Sequence, residues 1–168
     1  MTTNTLTLND LLVELGSLTD NKDVSIQRIG ARMIELFINT YTEDYQVDTE
    51  TTANLLYYLT DIQVRDYAMG IIDPTKATQQ VPALEYLLNA APTDTTYVNA
   101  PAALLAVIEY ELGNGAIARL TIAKAAKEYS LAQLLRRVFN AGWASSMFAD
   151  MRKELHPKVV EGIFGEDN

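Results

Sequence analysis

Apolar side chains recur along this chain at helical spacing, and the strict alternation of a half-buried strand is scarce. Behind Thr7, residues Leu8, Leu11, Leu12 and Leu15 follow i, i+3, i+4 and i+7, and Gly16 stands where a helix stops. A short amphipathic helix is expected there, followed by a polar loop from Ser17 to Asp23. Ile26, Ile29, Met33, Leu36 and Phe37 then lie along one apolar stripe of a longer helix ending near Tyr41. Thr42 to Glu50 is polar and acidic and reads as a loop. Leu55, Leu56 and Leu59 mark another helix. Thr60 and Gln63 have capping-box spacing, flanked by Leu59 and Val64 as a hydrophobic staple, so a helix is expected to restart at Thr60. It should end near Asp73-Pro74, because the proline ring disfavours a helical Asp73. Asp73 then suits the cap of the following helix, with Pro74 in its first position. The stripe of that helix is Leu84, Leu87, Leu88 and Ala91, closed by Pro92.

The C-terminal half is more regular. Pro101 opens a helix bearing Leu104, Leu105, Ile108 and Leu112, and Gly113-Asn114-Gly115 breaks it. An alanine-rich helix is expected from about Ala116 to Glu128, where Ala118, Ala123, Ala125 and Ala126 permit close packing. Ser130 is placed to cap a third helix with the apolar set Leu131, Leu134, Leu135, Val138 and Phe139, an outer face of Gln133, Arg136, Arg137 and Asn140, and Gly142 as terminator. Trp143, Phe148 and Met151 predict a last helix folded back as a lid and ending at His156-Pro157. The expected architecture is all-α, an antiparallel array of roughly eight to ten short helices in a single domain over residues 1–168. Thr93 to Asn99 is the longest non-helical connection, so any soft subdivision falls at 92–100.

Composition narrows the functional classes. With 48% hydrophobic and 21% charged residues among 168, the chain is globular in type. It has no cysteine, which excludes disulfide frameworks, thiolate metal clusters and thiol catalysis, and which fits a reducing cytosol. Its apolar runs are too short to span a bilayer. Its first twenty residues lack the basic start and apolar centre of a signal peptide. A cytoplasmic protein without a membrane partner is therefore expected. The net charge of −9 is unevenly distributed: residues 1–114 carry a balance of −11, residues 115–158 one of +5, and the last ten residues one of −3. An acidic body disfavours non-specific nucleic-acid binding, while the basic segment leaves a local contact open.

Two resemblances emerge from the C-terminal half. After the helix that ends in Gly113, Ala118, Ile122 and Ala125 have the small, large, small spacing that resembles a tetratricopeptide-like hairpin. No second copy follows at the interval of about 34 residues that such repeats need, so one hairpin is implied and not a repeat array. The strings Ala100-Pro101-Ala102-Ala103-Leu104-Leu105-Ala106, Gly113-Asn114-Gly115-Ala116-Ile117-Ala118-Arg119 and Tyr129-Ser130-Leu131-Ala132-Gln133-Leu134-Leu135, with Ala141-Gly142, cover a longer stretch. Together they resemble the C-terminal helical part of an uncharacterised actinobacterial and actinophage domain family of unknown function. Val64-Arg65-Asp66 resembles a shorter element of the same family, so the likeness spans residues 60 to 143. Trp143-Ala144 stands where that family has a proline after its Ala-Gly pair, and the family's apolar, strand-rich N-terminal portion has no counterpart in the first fifty residues. The resemblance implies a shortened, stand-alone version from a bacterium or phage, and it implies no activity.

The residues with chemical potential form no familiar catalytic pattern. Gly113-x-Gly115-x-x-Ala118 superficially matches a dinucleotide fingerprint, but a helix precedes it where that motif needs a strand. His156 is the only histidine, which rules out paired-histidine metal sites, and at a charged helix end it reads as an ordinary, partly exposed imidazole. Glu43, Asp44, Asp48 and Glu50 lack the glycine and final bidentate glutamate of a calcium loop and read as a solvated acidic loop. No metal and no cofactor is expected. Arg65 and Asp66 stand in an apolar segment and read as a capping or inter-helix ion pair, with a functional contact as the lesser reading. Thr121 to Asn140 has a helix-turn-helix cadence, but the turn between Ala126 and Ser130 is too short and lacks its glycine.

These features point to a non-catalytic helical interaction or regulatory protein, with a protein partner or self-association. The candidate contact residues are Arg65, Asp66, Arg119, Arg136, Arg137, Trp143, Tyr45 and Tyr97, and Tyr41, Tyr57 and Tyr58 are counted among the outer aromatics. Two alternatives use charge: a nucleic-acid-binding regulator contacting its target through Arg119, Lys124, Arg136 and Arg137 in the basic 115–158 segment, or an acidic DNA mimic that inhibits a DNA-binding protein. A carboxylate-based enzyme around Arg65, Asp66 and Glu109 is the remaining alternative, and there nothing pairs a nucleophile with a base at recognisable spacing.

Overall fold

A computed structural model describes residues 6–17 and 23–165, and those residues form nine α-helices and two single 3-10 turns, with no strand among them. The expected loop from Ser17 to Asp23 lies largely outside the described residues. In chain order the helices are α1 (Leu8–Gly16), α2 (Val24–Thr40), α3 (Thr49–Tyr58), α4 (Ile62–Ile71), α5 (Ala77–Ala90), α6 (Asn99–Glu111), α7 (Gly115–Ile122), α8 (Ser130–Ala141) and α9 (Ser145–Phe164). The all-α expectation holds.

Aspartates start most of the N-terminal helices, because a carboxylate beside the first turn accepts from otherwise unpaired backbone N–H groups. Asp23, Asp48 and Asp61 accept from the backbone N–H of Ser25, Thr51 and Val64, and Thr7 forms a reciprocal capping box with Asp10. Asp48, expected in a solvated acidic loop, is thus a structural cap. The cap of α4 is Asp61 and not Thr60, whose hydroxyl donates back to the Tyr57 carbonyl at 2.6 Å. A carboxylate accepts more strongly than a hydroxyl, and the Gln27 side chain adds two further donated bonds to Asp61 at 3.0 and 3.2 Å. At α8 the cap position is Tyr129, and the expected Ser130 cap does not form. Gly142 ends α8 in the left-handed region, as its position predicts.

α6 is the centre of the array. Every residue from Asn99 to Tyr110 is buried, and α4, α5, α7, α8 and α9 all pack on it. Its sequence is apolar nearly all round, which is the pattern of a helix enclosed on every side. The stripe Leu104, Leu105 and Ile108 is only part of that surface, and Leu112, expected with it, falls beyond the helix and is exposed. One core cluster runs from Leu12 to Phe148, crossing residues 92–100. α6 and α7 pack as an antiparallel hairpin about the Gly113 turn, but α7 stops at Ile122 instead of Glu128. Residues 123–129 therefore make a longer connection than the turn expected between Ala126 and Ser130.

Two predicted helices differ in ways that matter for the surface. α2 buries Gln27, Gly30, Ala31, Ile34 and Ile38, whereas Ile29 (53% exposed) and Leu36 (65% exposed) of the expected stripe face outward. The cause is close approach: Gly30 lies against the Tyr58 ring, and α2 turns its small residues toward its neighbours. α9 does not end at His156-Pro157 but continues through the proline to Phe164. An internal proline costs a helix about 3 kcal/mol. Docking beyond it offsets that cost: Ile163 joins Ala31 and Tyr67 in a second apolar cluster, Arg28 donates to the Ile163 carbonyl at 2.8 Å, and Arg32 lies 4.4 Å over the Phe164 ring.

Candidate functional site

Three of the eight basic side chains in residues 115–158 hold helix ends. Arg119 donates to the Phe139 carbonyl at 2.7 Å, and Arg136 donates to the Ile122 and Ala125 carbonyls, both at 3.1 Å. These are C-terminal carbonyls of α8 and of the α7 end, where unpaired acceptors and the helix dipole favour a cation. Arg137 is exposed on α8. Arg152 goes further: its Nε and Nη2 grip both Glu111 carboxylate oxygens at 2.8 and 2.7 Å, and its Nη1 donates to the Met69 and Gly70 carbonyls at the end of α4. Both side chains of this pair are only 1% exposed. Sequence reasoning singled out neither Arg152 nor Glu111, since the two lie 41 positions apart with no local signal.

His156 departs from its expected place at a solvated helix end. It sits inside α9 with its ring against Gly70, where an added Cβ would lie 1.9 Å from Nδ1, and that Nδ1 is buried without a hydrogen-bond partner. Burial lowers the imidazole pKa, helped by Arg152 and opposed by Glu35. The Tyr67 ring lies 5.3 Å away, and its hydroxyl donates to Glu35. A cavity of about 190 Å³ beside the imidazole separates α4 from α9.

Among the tyrosines, Tyr45 is exposed, whereas Tyr57, counted among the outer aromatics, is buried in α3. Tyr97 is half-buried and donates to the Leu12 carbonyl at 3.3 Å, tying the 92–99 segment to α1. Trp143 is partly exposed and accepts at its carbonyl from the Tyr110 hydroxyl. Glu109 is buried and accepts from Thr121 at 2.6 Å, and burial raises its carboxyl pKa. Glu109 bonds across α6 and α7, and Arg65 and Asp66 bond to each other.

Arg65 and Asp66 do pair, at 2.7 Å, and they pair beside an opening in the described structure. That opening is a groove of about 1030 Å³ walled by the 91–98 and 123–130 segments and by the start of α4. Leu88, Ala91 and Ala125 give its floor apolar patches. Two buried polar side chains join them, Arg65 (7% exposed) and Asn99 (8% exposed). Arg65 donates twice to one Asp66 oxygen, at 2.9 and 2.7 Å, and once to the Tyr129 hydroxyl at 3.3 Å. A guanidinium has five N–H donors, so two remain uncommitted. Asn99 accepts from the Ala126 N–H at 2.8 Å, which fixes its oxygen and leaves its amide N–H donors without a partner among the described residues. Lys124 adds an ammonium at the rim, beside Asp94 and Glu128. Asp94 has a backbone φ of 60°, a left-handed conformation that aspartate tolerates in turns. The groove thus sets the donors of Arg65, Asn99 and Lys124 beside the Asp94 and Glu128 carboxylates on a partly apolar floor. Arg65 was singled out in the sequence, but Asn99 and Lys124 enter only through the 92–99 and 123–129 turns, which no periodicity brings together.

No group of three or more metal-ligating side chains converges among the described residues. No helix among them is long and apolar enough to cross a membrane. Neither a curated protein nor a solved structure matches the chain. A family model described as a domain of unknown function (DUF4192) matches residues 10–145. The match takes in α2 and α3, which the resemblance over residues 60–143 left out, and it stops where α9 starts. The chain belongs to the DUF4192 family.

Proposed function

We propose that this DUF4192 chain is a non-catalytic helical interaction protein that acts through protein–protein contacts, with the groove beside Arg65 as its contact site. The observation that carries this reading is an open groove of about 1030 Å³ whose lining sets Arg65, Asn99 and Lys124 beside the apolar Leu88, Ala91 and Ala125. Arg119, Arg136 and Arg152, by contrast, are engaged by helix carbonyls or a carboxylate, and this reduces what they offer to a phosphate backbone. The absence of cysteine supports a reducing, cytoplasmic setting, and the strings at 100–106, 113–119 and 129–135 support an actinobacterial or phage source.

Affinity capture on the full chain, with cross-linking side chains placed in turn at Thr93 and at Leu36, tests the reading. A discrete protein, or a second copy, bound from Thr93 is the expected result. No capture from either position removes the reading. A gel shift with duplex DNA at low salt that Arg137→Ala abolishes would replace it with nucleic-acid binding.

A further inference from the structure

Going beyond that reading, we propose that the distal part of α9, residues 158–164, is a strap that acid releases from α2 and α4, with His156 as its latch. The latch closes only on a neutral imidazole. The Nδ1 edge of the ring fills the space beside Gly70 that a side chain would otherwise take, and Nδ1 is buried there with no hydrogen-bond partner. A neutral ring can leave that nitrogen without a proton, whereas the cation carries a donor on both nitrogens and would bury one of them unpaired. The carboxylates near the ring already have partners. Asp66 on α4 pairs with Arg65, Glu35 on α2 accepts from Tyr67 and pairs with Arg32 at 3.5 Å, and Glu111 on α6 is held by Arg152. On α9 itself the neighbours are cations: Arg152 lies one turn earlier, and Lys158 lines the same cavity. Burial and Arg152 accordingly lower the imidazole pKa, against a smaller upward pull from Glu35.

The two parts of α9 are held differently. Before Pro157, Phe148 belongs to the main core, and both members of the Arg152–Glu111 pair are 1% exposed. Beyond it, Ile163 joins the small cluster with Ala31 and Tyr67, while Arg28 and Arg32 close over the helix end. Pro157 separates the two parts. It has no N–H to donate to the Lys153 carbonyl, so the helix is weakest just beyond the latch. The cavity of about 190 Å³ lined by Gly70, His156, Lys158 and Val159 gives the ring room to leave its seat. An undocked imidazole regains its ordinary affinity for the proton, so docking is complete above pH 6.5 and weakens as pH falls through the docked value. Release bares Ala31, Tyr67 and Ile163 and leaves the rest of the array in place.

Hydrogen exchange of the full chain, read segment by segment and corrected for the intrinsic rate at each pH, tests the proposal. Between about pH 7.5 and about pH 5, protection of 158–164 should fall by about tenfold or more, while that of 146–155 changes by less than about threefold. His156→Phe keeps a ring against Gly70 without a basic nitrogen, so it should leave 158–164 protected at both values. Because His156 is the only histidine, its ring C–H signals in NMR follow its titration without any substitution. Their midpoint should lie below 6.5 and coincide with the loss of protection. A strap that stays protected, a midpoint at or above 6.5, or two midpoints that differ overturns the proposal. Equal loss in 146–155 overturns it in favour of global acid unfolding, and equal loss in folded His156→Phe overturns it in favour of the carboxylates. If His156→Phe does not fold, the two wild-type midpoints decide.

Discussion

Two arginines, each paired with a carboxylate and each next to α4, have opposite fates in this protein. Arg152 is sealed between α4, α6 and α9, where it makes four hydrogen bonds to Glu111 and to the Met69 and Gly70 carbonyls, and both members of the pair are 1% exposed. Arg65 is also buried, but its Asp66 partner is 27% exposed, it makes three bonds, and it fronts a groove of about 1030 Å³. The difference teaches that burial of a charge does not by itself tell structure from function. The surroundings also differ: Arg152 places four bonds on the chain inside the core, and Arg65 places three beside an open groove.

The largest expected effect comes from breaking the sealed pair. Arg152→Ala strands the Glu111 carboxylate and should cost about 3–5 kcal/mol in chemical denaturation, while Arg65→Ala, whose partner still reaches water, should cost less, about 1–3 kcal/mol. Equal losses would end the distinction between the two. The double change Arg152→Met with Glu111→Leu is expected to recover most of the loss, because apolar replacement of a buried pair is often neutral or stabilising. Next in size is Gly70→Ala, which drives a Cβ into His156 and should cost roughly 1–3 kcal/mol by thermal melting. Adding His156→Ala to that variant should relieve part of the cost, and a purely additive pair would show that the two residues do not touch in solution.

A smaller effect follows from acid. The folded state lowers the pKa of His156 below its ordinary 6.5. The unfolded chain therefore binds the proton more readily, so this residue's contribution to stability is complete above pH 6.5 and is lost as pH falls through the folded value. Comparing wild type with His156→Phe by denaturation at stepwise pH isolates it from the carboxylates. Wild type should lose stability relative to the variant below pH 6.5, and parallel curves would sink the assignment. The smallest expected stability change belongs to Lys124→Ala at the groove rim, within about 0.5 kcal/mol of wild type. A large loss on melting would place Lys124 with the structural cations instead.

Much of this was legible one helix at a time. Leu131, Leu135, Val138 and Phe139 are buried as their spacing predicts, and Gly113 and Gly142 turn where positive φ is needed. Thr7 caps α1 as expected. The misreadings share a cause. Periodicity identifies an apolar stripe without saying which neighbour will cover it, so Ile29 and Leu36 were grouped with a face that instead uses Gly30, Ala31 and Ile34. A proline predicts a helix end from local sterics, but docking of Ile163 and Phe164 carries α9 past Pro157. The candidate site divides the same way: Arg65-Asp66 stands out because adjacent charges in an apolar stretch need partners, whereas Asn99, Lys124 and Tyr129 are brought to it by turns.

The sequence by itself determined the all-helical class and the positions of most helices, because helical period and capping side chains are local properties of the chain. Tertiary structure alone decided what each charge does. Nothing in the spacing distinguishes Arg152 from Arg65 or Arg137, and only the packing of α4 against α6, α9 and the two turns leaves one sealed in the core, one beside an open groove and one in solvent. The physical reason is that a hydrogen-bonding or ionic interaction depends on distance and desolvation in three dimensions, and Glu111 lies 41 positions from Arg152 and Tyr129 64 positions from Arg65 along the chain.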